Sequence, residues 1–165
     1  MAVQQIRSGL TDLAHPGGEG LDLTGDFIYA VNVRGDGGLI VGDATFSADN
    51  VDGVIIDAQN EIAMWGDAHD FGSSVGDDNL ETIMRSVRYG TFPNIVTITL
   101  MKLEVGTEYK LQLLFSEQCC ARGFDVSVDN EPLVLDFAPF EEQEGISNPT
   151  AAAVVSFGKY SCSII

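Results

Sequence analysis

Basic side chains are scarce in this 165-residue chain: 8 Lys and Arg stand against 25 Asp and Glu, a formal net charge of −17. That balance repels phosphate backbones, which excludes nucleic acid as a natural partner. It also disfavours anionic membrane surfaces. Long hydrophobic runs are missing too. None approaches the ~18 residues that span a bilayer, so membrane insertion is not expected. Prolines number five and tryptophan occurs once. Only three cysteines are present, Cys119, Cys120 and Cys162, with no C-x-x-C spacing. A structural zinc site is therefore not indicated. Neighbouring cysteines rarely bridge each other, so the expected disulfide, if any, joins one of the pair to Cys162. Met1 to Ile6 lacks the basic and apolar stretches of a signal peptide. No N-glycosylation sequon occurs, because Asn148-Pro149-Thr150 carries the forbidden proline.

What is abundant points to many short strands. Hydrophobic residues make up 45% and glycines number 18, a globular composition with frequent turns. The length fits one domain able to bury a core without disulfide or metal. A surplus of acid suits a salty extracellular setting and can recruit divalent cations.

Residues 1–25 are polar and glycine-rich and read as an arm or linker, ahead of a domain over 26–165. Phe27 to Val33 is apolar and β-branched, and Arg34-Gly35-Asp36-Gly37-Gly38 turns the chain. Leu39-Ile40-Val41 and Val54-Ile55-Ile56 follow as short strands. The stretch from Asn60 to Gly90 reads as a long ordered loop, with a short helical turn over Asp78 to Met84. Ile95 to Leu103 is a further strand. Tyr109, Leu111, Leu113 and Phe115 alternate with Lys110, Gln112, Leu114 and Ser116, which predicts one buried and one mostly polar face. Phe124, Val126 and Val128 lead into an Asp129-Asn130 turn, and Leu133, Leu135 and Phe137 carry the apolar face back. Val154 to Phe157 is a last short strand. Strands at this spacing, without long amphipathic helices, predict an all-β antiparallel sandwich or barrel.

In order and spacing these pieces resemble malectin-like domains. The likeness rests on Tyr29-Ala30-Val31-Asn32 with Gly37-Gly38, on Gly42-Asp43 and Phe46, and on Arg88-Tyr89. It continues through Gly106 to Glu117, Phe124 to Asp129, and Val134 to Phe137, covering about residues 27 to 157. The resemblance implies a jelly-roll-type β-sandwich that binds di-glucose or other glycans without catalysis. Matched residue by residue, the pocket aromatics fall on Phe71 and Tyr89, with Asp70 and Arg88 beside them and Trp65 nearby. The family's further aromatic pair falls near Gln118 and Cys119, where this chain departs from it. The family's C-terminal aspartate has no counterpart before Ile165.

A sugar's C–H face stacks on aromatic rings while carboxylate, amide and guanidinium groups read its hydroxyls. Phe71, Tyr89, Trp65, Asp70 and Arg88 supply that mixture, so the expected partner is a glycan or glycoprotein at the cell surface or outside the cell. Each of these rings could equally be core filling. Gly72-Ser73-Ser74-Val75-Gly76 matches the serine-hydrolase elbow, but no strand-to-helix context is evident around it. Glu117, Asp125, Asp70 and Glu61 could pair as glycosidase carboxylates, although 25 acids yield such pairs by chance. The expectation is therefore no enzyme. Asp36, Asp49, Asp52, Asp77 and Asp78 could hold a structural calcium, or simply cap turns. Arg34-Gly35-Asp36 spells an adhesion tripeptide too short to weigh. The alternative function is a structural subunit of an extracellular fibre or sheath. Only eight residues follow Phe157; a sandwich short of closing strands would self-associate through an exposed sheet edge, with the N-terminal arm as donor strand.

Overall fold

The computed structural model describes residues 1–5, 21–143 and 152–158. Strands dominate and helices are few, so the chain is all-β. Six strands form the main sheet, in the order β12 (Ala152–Gly158), β9 (Tyr109–Phe115), β1 (Ala2–Gln5), β2 (Phe27–Asn32), β4 (Ala44–Ala48), β3 (Leu39–Val41). Its pairs are antiparallel except β2 with β4, which run parallel. Three two-stranded ribbons complete the described strands: β5 (Val54–Asp57) with β8 (Thr97–Leu100), β6 (Asn60–Ile62) with β7 (Val87–Tyr89), and β10 (Phe124–Val128) with β11 (Glu131–Phe137). Helix α1 spans Val75–Met84 and the short α2 spans Pro139–Glu142. Among the described residues no helix is long and apolar enough to cross a membrane.

Period-2 alternation sorts the main sheet's side chains into two cores. Tyr29, Val31, Tyr109, Leu111 and Leu113 point to one face, where Val54 and Leu100 of one ribbon and Val126, Val128 and Phe137 of another cover them. Ala2, Ala30, Val41, Ala44 and Phe46 point to the other, under Leu80, Ile83 and Met84 of α1 and under Leu21 and Leu23. Both faces thus carry a buried core, while Ile28 and Ile40 stay exposed. The polar face expected of β9 is covered as well: Gln112 is buried and closes on the backbone of Asp22, with Nε2 donating to its carbonyl at 2.6 Å and Oε1 accepting from its N–H at 3.2 Å. Gly42 sits at φ +58°, and a Cβ there would lie 2.4 Å from the Leu23 carbonyl oxygen, so glycine alone lets this second layer close on the β3–β4 turn.

Three expectations need correcting. The arm over 1–25 is not free-standing at its start: Ala2–Gln5 lie in the middle of the main sheet, between β2 and β9. Two flanking ladders outweigh the weak strand propensity of so short and polar a segment. Residues 60–90 are not one long loop but a ribbon with α1 inserted. On β11, Leu133 and Leu135 are exposed while Val134 and Phe137 turn inward. The register slips between Phe124 and Val126, Asp136 takes φ +52°, and Asp125 Oδ1 accepts the Asp136 N–H at 2.9 Å. This bulge flips the alternation for the residues before it.

Candidate functional site

The β6–β7 ribbon carries two of the expected site residues on opposite faces. Its register pairs Asn60 with Tyr89, Glu61 with Arg88 and Ile62 with Val87. Glu61 and Arg88 therefore share one face, and Asn60 and Tyr89 the other. Arg88 bridges Asp49 and Glu61, the latter at 3.1 Å, and Glu61 also holds Arg34 Nε at 2.6 Å. The guanidinium of Arg88 fastens the ribbon to the turn after β4, with Nη2 on Asp49 and Nη1 on Glu61, while its buried Nε has no hydrogen-bond partner among the described residues. Tyr89 is 41% exposed. Gln59 Oε1 accepts from Asn60 Nδ2 at 3.2 Å and from the Thr91 N–H at 3.0 Å, so amide groups are fixed beside the ring. A turn follows, with the Asn94 N–H donating to the Thr91 carbonyl at 2.9 Å. At its tip Phe92 is 96% exposed. Phe92 escaped the sequence reading. Its signal was an aromatic ring set in Gly90-Thr91-Phe92-Pro93-Asn94, where turn residues leave no core to fill.

The other expected residues lie elsewhere. Phe71 is buried in the core beneath α1, with Leu80, Ile83 and Met84, and its N–H donates to Glu81 Oε1 at 3.1 Å. Its ring fills space rather than facing a pocket. Asp70 is exposed and accepts the Gly72 N–H at 3.0 Å, a local turn contact. Trp65 is half-buried, and the Arg122 guanidinium lies 5.3 Å from its ring centroid, a cation–π distance. Among the described residues, no hydrogen bond, ion pair or ring contact joins the side chains of Phe71, Asp70, Trp65, Arg88 and Tyr89 to one another. A separate cleft of about 320 Å³ opens where β2 and β4 diverge, lined by Asp26, Tyr29, Asp43, Thr45 and Ser47 among others, and includes none of the five.

A polar constellation that the sequence did not announce lies at the end of β9. Cys119 and Cys120 are joined to each other, against the expectation for neighbours, while Cys162 lies outside the described residues. Beside them the Glu117 carboxylate accepts the Cys119 N–H at 3.1 Å and meets Arg122 at 3.5 Å. Glu117's own N–H donates to Gln143 Oε1 at 2.7 Å. Gln143 Nε2 lies 2.8 Å from His69 Nδ1, and the His69 N–H donates to Ser116 Oγ at 3.0 Å. Burial holds the His69 imidazole below its ordinary pKa, opposed by the Glu117 charge. The folded chain therefore keeps His69 neutral where the unfolded chain already binds a proton. Stability from this source is complete above about pH 6.5 and is lost as pH falls below it. Melting temperature is expected to fall between pH 7 and pH 5, with a shallower fall in His69→Gln; equal slopes for the two chains would refute this.

The aspartates considered for calcium are dispersed. Asp49 pairs with Arg88 and Asp52 with Lys102. Asp77 forms a capping box with Ser74, its Oδ2 accepting the Ser74 N–H at 2.9 Å while Ser74 Oγ accepts the Asp77 N–H at 3.1 Å. Ser74, the serine of the G-x-S-x-G match, thus serves as the N-cap of α1. Among the described residues, the metal-ligand side chains that converge are Glu117, Cys119 and Cys120. No family model, curated protein or solved structure matches this chain.

Proposed function

We propose that this chain is a non-catalytic carbohydrate-binding module of the malectin-like kind, built as a jelly-roll-type β-sandwich and working outside the cell or on its surface. The observation that carries the reading is the exposed pair Tyr89 and Phe92 on the β6–β7 ribbon and its turn, beside the amides of Gln59, Asn60 and Asn94. Rings of this kind stack on the C–H face of a pyranose, and a carboxamide both donates to and accepts from hydroxyls. The two ribbons packed on one face of the main sheet support the sandwich. With a net charge of −17, the preferred glycan is neutral rather than sulfated or uronic. Calorimetric titration with neutral oligosaccharides should give binding that Tyr89→Ala and Phe92→Ala each weaken by about tenfold. Failure of the parent chain to bind any neutral glycan on an array overturns the reading.

One observation favours self-association as a second reading. Leu133 and Leu135 stand exposed on β11, and β12 and β3 end the main sheet among the described residues. Such edges and apolar faces invite pairing with another copy, in a fibre or sheath. Strand donation by the N-terminal segment is harder to accommodate, since β1 would have to leave two ladders. Light scattering that finds only monomer at high concentration argues against this reading.

A further inference from the structure

The geometry points to a site for a thiophilic divalent cation formed by Glu117, Cys119 and Cys120, which opens when the Cys119–Cys120 disulfide is reduced. The carboxylate oxygen and the two sulfurs all lie within 4.8 Å of one another. Glu117 is already aimed. Its side chain is 11% exposed, its N–H is fixed by Gln143, and its carboxylate is held by the Cys119 N–H. Cys119 is exposed and Cys120 half-buried, so both reductant and ion can reach the sulfurs.

A staple is not what this disulfide provides. Cross-links stabilise by restricting the unfolded chain, and the effect grows with the loop enclosed. A bridge between adjacent residues encloses only its own ring. Its chemistry lies instead in exchange. A small-molecule thiol reductant transfers two electrons and two protons to the pair, giving two protein thiols and the reductant's own disulfide. An ion then displaces both thiol protons to solvent and is held by two thiolates and one carboxylate. Sulfur ligands select zinc or cadmium over calcium or magnesium. Three protein ligands leave a fourth position for water. The three anionic ligands exceed the ion's charge by one, and Arg122 stands ready to balance it, with Nη2 at 3.6 Å from Cys119 Sγ and Nη1 at 3.5 Å from Glu117 Oε2. The same guanidinium lies 5.3 Å from the Trp65 ring centroid.

The test uses the full chain carrying Cys162→Ser, so that only the vicinal pair contributes thiols. After reduction with a phosphine and its removal, Cd²⁺ is titrated and the ultraviolet thiolate-to-cadmium band is read. The expected result is one Cd²⁺ per reduced chain and none in the oxidised chain. Cys119→Ser and Cys120→Ser should abolish tight binding, and Glu117→Gln should weaken it by about tenfold or more, with melting curves confirming that each variant is folded. Cadmium NMR on the chain with Glu117 intact should report two sulfur ligands, which needs no substitution at the site. Equal binding by oxidised chain, by Glu117→Gln, or by chain unfolded in denaturant overturns the proposal, as does a cadmium shift for fewer than two sulfurs.

Discussion

Gln143→Ala is expected to lower the unfolding free energy by about 3 kcal/mol, read as a fall in the urea midpoint at unchanged slope. Gln143 is wholly buried and holds two groups that have no access to water. Its Oε1 takes the Glu117 N–H, which fixes the orientation of the amide. Nε2 must then donate to His69 Nδ1, so the imidazole proton sits on Nε2. Alanine strands the Glu117 N–H and leaves the His69 acceptor only the Ser116 hydroxyl, 3.3 Å away, and an unmade buried hydrogen bond costs far more than a made one contributes. Gln143→Met restores most of the volume and neither bond, and should lose nearly as much. If methionine recovers most of the stability, packing rather than hydrogen bonding holds this corner together.

Phe46→Ala should cost more, about 3–5 kcal/mol in the same measurement. Phe46 is 0% exposed on β4 and shares its core with Leu39 across the strand pair and with Leu80, Ile83 and Met84 of α1. Truncation loses the transfer energy of the ring and leaves a cavity that a sheet and a capped helix cannot collapse to fill. Phe46→Leu keeps most of the volume and should cost about 1–2 kcal/mol. A loss below about 1 kcal/mol for alanine would mean that α1 does not pack on this face as described.

The strands that could be read from sequence are those whose residues carry the pattern themselves. Tyr109 to Leu113 alternates apolar with polar residues, and Asp129-Asn130 announces its turn through two residues that tolerate positive φ, 51° and 66°. Strand β1 carries no such pattern. Its place follows from partners at Phe27–Ala30 and Tyr109–Gln112, which no local window contains. Helix α1 has a local signal in Ser74 and Asp77, which cap its first turn, although the same serine also fits the spacing of a hydrolase elbow. The site divides in the same way. The malectin-like resemblance put both Tyr89 and Phe71 in a pocket, and of the two rings Tyr89 is the exposed one. Phe71 could not be distinguished from core, since an aromatic ring's role depends on what covers it. The vicinal disulfide was hidden for another reason: the sequence lists thiols, while the bond depends on the geometry around them.

The central position of β1 has a consequence for how the chain comes into being. Ala2 faces Gln112 across one ladder, a separation of 110 residues (112 − 2). The main sheet therefore has very non-local contacts, the arrangement that folds slowly because a large loop must close before any contact rewards it. During synthesis β1 and β2 leave the ribosome well before β9, and until β9 appears β1 has at most one ladder and one open side. Any nascent chain stalled before residue 109 exposes that open side, and the most hazardous stage of this protein's life falls before its own middle strand gains its second neighbour.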